Sequence, residues 1–184
     1  MRIEHSTLTE TKRPNPQDQV SLRVLASTDL HMNLLGYDYY RDQSDPGVGL
    51  SRTATLIANA RTEAARFGAA TLLLDNGDSL QGAPLGEQPS ASAIHPLMRA
   101  FQVLNFDAIG LGNHEFYFGL KALARILRDA PCPVICSNMT AIAPEAELPF
   151  ATSLVLERPI PAQPKAPPVK IGLLSVLPEQ TLQW

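Results

Sequence analysis

Two cysteines in 184 residues, Cys132 and Cys136, are too few for a disulfide framework, and their spacing is not the C-x-x-C of redox and metal motifs. They read as two small buried apolar side chains on one face of a strand in "PCPVICS", and they leave the redox compartment open. Basic runs are also missing. With 15 Lys and Arg against 18 Asp and Glu the formal net charge is -3, and no stretch of Lys and Arg could follow a phosphate backbone, which argues against a nucleic-acid polymer as partner. No segment approaches the ~20 consecutive apolar residues that span a bilayer, so no membrane association is expected. The first 21 residues, "MRIEHSTLTETKRPNPQDQVS", lack the apolar core of roughly 7–15 residues that an export signal needs, so the sequence as given predicts a soluble, cytoplasmic chain. Histidine is scarce too: His5, His31, His95 and His114 are all there are, and none follows residue 114.

What is present is a globular composition, 45% hydrophobic and 18% charged, at a length that suits one domain. Residues 1–21 read as a flexible leader and residues 22–184 as one α/β unit. "LRVLAST", "AATLLLD", "FDAIGLG" and "CPVICSN" are apolar runs that stop at polar clusters, as buried strands do. Between them lie three helical patterns. The first, "GLSRTATLIANARTEAARFG", sets Leu50, Ala54, Ile57, Ala60 and Ala64 on one face and ends at Gly68. "AIHPLMRAFQVL" and "GLKALARILRDA" are the others. Strand alternating with helix predicts a parallel sheet, because parallel neighbours require a crossover, and ligands in such sheets sit outside the carboxyl ends of the strands. "ATSLVLE" and "VKIGLLSV", joined by the proline-rich "RPIPAQPKAPP", instead predict a hairpin or a pair at the sheet edge.

Three strand exits carry the chemistry. "STDLHMN" offers Asp29 and His31, two apart and so on one side of an extended chain. "DNGDSLQG" offers Asp75 and Asp78 beside Gly77 and Gly82, and "GLGNHEFYFG" offers Asn113 and His114. Each alone is an ordinary turn or cap. Turn chemistry alone would not bring carboxylate, imidazole and amide groups to three successive exits on one rim. That mixed donor set suits two divalent ions such as Mn, Zn, Fe or Co, which convert water into a nucleophile and clamp an in-line displacement at phosphorus. Asp78 is the natural bridging carboxylate, and His114 the group that donates a hydrogen bond or proton to the phosphoryl or leaving oxygen.

These three motifs resemble the first three of the calcineurin-like metallophosphoesterases. "NLLGYDYYRD", "GVGLSRTATLIANAR", "AIHPLMRAFQVLNFDAIGLGNHEF" and "KIGLLSVLPEQTLQW" place the resemblance, from about Leu22 to Trp184, in the 5'-nucleotidase branch and most of all with its bifunctional 2',3'-cyclic-nucleotide 2'-phosphodiesterase/3'-nucleotidases. The resemblance implies an αββα sandwich, here its N-terminal half, with one metal held by Asp29, His31 and Asp78, a second by Asp78 and Asn113, and His114 as the catalytic histidine. It implies 2',3'-cyclic nucleotides and 3'-nucleotides as substrates, hydrolysed to nucleosides, and a periplasmic or cell-surface location. A 5'-nucleotidase or UDP-sugar hydrolase type of phosphatase is the alternative, and an α/β interaction domain with a vestigial metal site the second.

The family's later Gly-His and Gly-His-x-His motifs have no counterpart here, so the site is expected to be incomplete and this chain by itself weakly active or inactive. A half domain is also expected to expose apolar surface through which it associates. Relatives often place Asp or Asn where this chain has Tyr117, and the group that orients His114 then depends on which way the phenol faces. Asp75 reads as structural, and His95 as the residue at the start of its helix. Tyr37, Tyr39 and Tyr40 read equally as packing or as cleft lining, and Arg52 and Arg61 as the solvated face of the first helix.

Overall fold

The computed structural model describes residues 19–87, 94–140 and 148–183. His5 and most of the expected leader lie outside the described residues. The four expected strands are β1 (Leu22–Ser27), β4 (Ala70–Asp75), β5 (Ala108–Gly110) and β6 (Val134–Ile135), and they form one parallel sheet in the order β1-β4-β5-β6. β1 pairs with β4 from Leu22 opposite Ala70 to Ser27 opposite Asp75, so the two strands end level. That register delivers the first two motifs to the same rim. β5 pairs Ile109 with Asp75 on one side and with Val134 on the other.

The crossovers are α1 (Leu50–Arg66), α2 (Pro96–Leu104) and α3 (Leu120–Leu127). On α1 Leu50, Ile57 and Ala64 are buried, a stripe of seven-residue steps along the face expected from the sequence. His95 caps α2, its Nδ1 accepting from Leu97 N at 3.3 Å, and Pro96 follows in the first turn. At the other end of α2 the structure corrects the solvated reading of Arg61. Its guanidinium donates to Leu104 O at 2.7 Å and Asn105 O at 2.9 Å, satisfying carbonyls that the helix leaves open. Arg52 is exposed on the same helix, as expected.

Between β1 and α1 a short hairpin of β2 (Tyr37–Asp38) and β3 (Gln43–Ser44) occupies a segment with no legible period. The last two strands, β7 (Leu154–Arg158) and β8 (Val169–Leu173), are an antiparallel hairpin, the first of the two arrangements expected. Links that moor it to the sheet include Arg158 pairing with Asp107 at the start of β5, Ser137 N donating to Ser175 O at 2.6 Å, and Asn138 bracketing Leu177 through both its amide atoms. Leu173 and Leu174 of this arm and Ala26, Leu74, Ala108 and Ile135 of the sheet line a cavity of about 290 Å³, so the two sheets face each other. Cys136 is fully buried and Cys132 half-buried beside the core, although the strand between them is only Val134–Ile135. Burial pushes both thiols up, that of Cys132 to about 12, which keeps them protonated and unreactive.

Candidate active site

The exits of β1 and β4 are laced together by backbone. Asp29 N donates to Gly77 O at 3.0 Å, His31 N to Asp78 O at 3.1 Å and Met32 N to Ser79 O at 2.9 Å, while Ala83 N returns to His31 O at 2.7 Å. These bonds hold the chain in a conformation it would otherwise avoid. Among the described residues six non-glycine residues have positive φ, and three of them are the expected ligands Asp29, His31 and Asp78. Each such residue costs on the order of 1–3 kcal/mol, a cost concentrated here on the polar rim.

Two buried carboxylates hold the rim from below. Asp75, 3% exposed, accepts from Ser27 Oγ at 2.6 Å, Ser79 Oγ at 2.8 Å and Gly77 N at 3.1 Å. Burial is the main influence on it and raises its carboxyl to about 6, against the lowering effect of those bonds. It is structural, as the sequence implied. Glu115, also 3% exposed, was not foreseen. Its carboxylate accepts from Asp78 N (2.8 Å), Ser79 N (2.7 Å), Leu80 N (3.1 Å) and Gly112 N (2.6 Å), so one side chain ties the second motif to the third. The two loops press so closely that a Cβ on Gly77, whose φ is 91°, would stand 2.3 Å from Gly112 N. A Cβ on Gly112 would stand 2.2 Å from Asp78 Oδ1.

The expected site residues lie on this frame. His31 Nδ1 donates to Gln81 O at 2.7 Å, and its Nε2 lies 3.6 Å from Asp29 Oδ1. His114 N donates to Asp78 Oδ1 at 2.9 Å, its ring Nδ1 to Gln81 Oε1 at 2.6 Å, and its ring stands edge-on to that of His31 with centroids 4.8 Å apart. Asn113 precedes a 3-10 turn over His114–Phe116 and makes no side-chain cap bond to it, so the capping explanation of that asparagine does not hold. Among the described residues no three His, Cys, Asp or Glu side chains form a closed metal-holding group. The donors nonetheless suit a divalent ion. A backbone carbonyl can only accept, so His31 carries its proton on Nδ1 and presents the Nε2 lone pair beside a carboxylate, the arrangement seen in metal-ligating histidines.

Tyr117 is 69% exposed and stacks edge-on against Phe118, turning its phenol to solvent. The tyrosines of the β2–β3 hairpin line a cleft with His31, Asn33 and Gly82, so the cleft reading of Tyr37, Tyr39 and Tyr40 has a geometric basis, while Tyr37 and Tyr39 also pack edge to face. Glu115 and Gln81 are the functional residues that sequence reasoning missed. For both, the available signal was position alone: Glu115 directly follows Asn113 and His114, and Gln81 closes the "GDSLQG" turn.

No family model matches the sequence. Among characterised proteins, the 2',3'-cyclic-nucleotide 2'-phosphodiesterase/3'-nucleotidase of Yersinia enterocolitica is 36% identical over 171 residues, covering 90% of this chain and 26% of that protein. The trifunctional nucleotide phosphoesterase YfkN of Bacillus subtilis is 35% identical over 176 residues, covering 90% of this chain and 12% of its own length. The crystal structure of calcineurin-like phosphoesterase YfkN superposes with a TM-score of 0.79 at 35% identity, over 90% of this chain and 51% of that one. The chain thus spans only part of each relative. Sequence and fold agree across nine-tenths of its residues, and on that ground the chain belongs to the calcineurin-like metallophosphoesterases, on their nucleotidase branch.

Proposed function

We propose that this chain supplies the metal-binding rim of an enzyme that hydrolyses nucleotide phosphoesters, taking 2',3'-cyclic nucleotides to 3'-nucleotides and then to nucleosides. The observation that carries the reading is the His31 ring, locked by Gln81 O with Nε2 beside Asp29 Oδ1. Asp29, His31 and Asp78 would hold one divalent ion, and Asp78 with Asn113 a second, Mn, Zn, Fe or Co by donor chemistry. Bound there, such a pair supplies an activated water and shields phosphoryl charge. His114, when protonated on both ring nitrogens, would donate from Nε2 to the phosphoryl or leaving oxygen, on the ring edge opposite Gln81. The Asp78 carboxylate contributes twice, as donor atom and as acceptor for His114 N, which keeps the histidine in register with the rim.

By itself the chain is expected to be weakly active or inactive, because no histidine follows residue 114 to complete the set of metal ligands. The same reading extends to export to the periplasm or cell surface, and to association through exposed apolar side chains such as Leu174 and Val176, 74% and 70% exposed. No described helix is long and apolar enough to cross a membrane. A second reading, an interaction domain with a vestigial site, draws support from the absence of a closed three-residue metal group among the described residues. An assay with Mn or Zn separates them. Slow, metal-dependent hydrolysis of 2',3'-cyclic AMP, faster than that of 5'-AMP and abolished in His114→Ala, is the expected outcome. Metal-independent hydrolysis, or a chain that neither binds Mn nor hydrolyses the ester, favours the second reading, preference for 5'-AMP moves the substrate to the 5'-nucleotidase type, and turnover within a few-fold of a full-length relative contradicts the weak activity expected of the chain alone.

A further inference from the structure

Gln81 stands between the two rim histidines and bonds both, through different atoms. Its main-chain carbonyl accepts from His31 Nδ1 at 2.7 Å and its side-chain Oε1 accepts from His114 Nδ1 at 2.6 Å. Both acceptors are carbonyl oxygens, so both rings carry the proton on Nδ1 and, when neutral, a bare Nε2. The residue itself is fixed on either side. Leu80 N is held by Glu115 Oε1 at 3.1 Å, and Ala83 N by His31 O at 2.7 Å. Between them Gly82 lies so close that a Cβ there would stand 2.5 Å from His31 Cβ. Tyr117, meanwhile, turns its phenol to solvent.

We propose that Gln81 is the positioning residue of this site: its backbone carbonyl aims His31 Nε2 at the metal, and its side-chain amide aims His114 Nε2 at the phosphoryl group. What the rings do there rests on the functional reading above; that Gln81 sets their tautomer and direction rests on the two bonds alone. A carboxylate in this place would hold His114 equally well but would add negative charge beside a site built for phosphate. The amide orients the ring and adds no charge. One residue also couples two tasks, since a shift of its backbone moves both rings together.

The split between backbone and side chain makes the inference testable without turnover. Ring nitrogen shifts of His31 and His114 in the 15N-labelled 184-residue chain, free of metal and at about pH 8 where imidazole is neutral, report the tautomer of each. In the wild type both rings give the single Nδ1–H signature. Gln81→Ala removes the amide and keeps the carbonyl, so His114 loses that signature while His31 retains it. Gln81→Glu keeps an acceptor oxygen and restores the signature at His114. An unchanged His114 in Gln81→Ala overturns the proposal, as does a Gln81→Glu chain in which His114 is not restored. Loss at both rings in Gln81→Ala makes the side chain a strut of the loop and overturns it equally. A chain that gives the expected pattern yet neither binds Mn nor hydrolyses a phosphoester keeps Gln81 as positioner and loses the proposed function.

Discussion

The rim of the parallel sheet and the β7–β8 hairpin are built by opposite means. The hairpin alternates half-buried and exposed residues along both strands, and its cross-strand ion pair, Glu157 to Lys170 at 3.5 Å, is largely open to water. Such a pair contributes little. At the rim a carboxylate is instead buried against four backbone N–H groups, another is buried against two hydroxyls and an N–H, and three polar residues are held at positive φ. A hairpin of that kind needs only its pattern. The rim needs specific acceptors, because it must hold polar side chains in positions that the chain would not adopt unaided.

The comparison breaks most readily at Glu115. Glu115→Ala strands four N–H groups, three of them the backbone of Asp78, Ser79 and Leu80, and is expected to cost more than about 3 kcal/mol, read as a fall in the urea midpoint. Asp75 comes next. Its carboxyl near 6 in the fold lies above the ordinary value of 3.8, so its stabilising contribution is fully present below about pH 3.8 and is lost as pH rises through about 6. Asp75→Asn keeps the acceptor for Gly77 and Ser79, and should flatten that slope and leave the fold on the order of 2 kcal/mol more stable at pH 7. Thermal unfolding across pH 4–7 measures both. Gly112→Ala drives a methyl into Asp78 Oδ1 and is expected to cost about 1–3 kcal/mol in a thermal melt. Lys170→Ala on the hairpin should shift stability by less than about 0.5 kcal/mol. A loss there equal to that at Glu115 would erase the distinction between the two regions.

Much of this was legible in the sequence, because apolar runs that end in polar clusters mark the carboxyl ends of buried strands. β1, β4 and β5 stop where "STDLHMN", "DNGDSLQG" and "GLGNHEF" begin, and α1 buries the stripe that its spacing describes. Glu115 was not legible, since its partners are backbone amides 35–37 residues upstream, and backbone leaves no mark in a sequence. Gln81 escaped for the same reason: its role exists only where two loops meet. Arg61 follows Ile57 by four residues and precedes Ala64 by three, so the helical period sets it on the buried stripe, and its long side chain reaches past that stripe to the end of α2. The β2–β3 hairpin has strands of two residues, shorter than any period can register.

Asp78 joins the two halves of the functional reading, as the ligand proposed to be shared between the metals and as the acceptor for His114 N. Asp78→Asn keeps an oxygen for that bond and removes the charge, so the chain should stay folded by circular dichroism. Calorimetric titration of Mn into both chains is the most direct test. Saturable binding to the wild type, weakened roughly tenfold or more in Asp78→Asn, is the expected result; isotherms that coincide, or no binding to the wild type, would contradict a metal site on this rim.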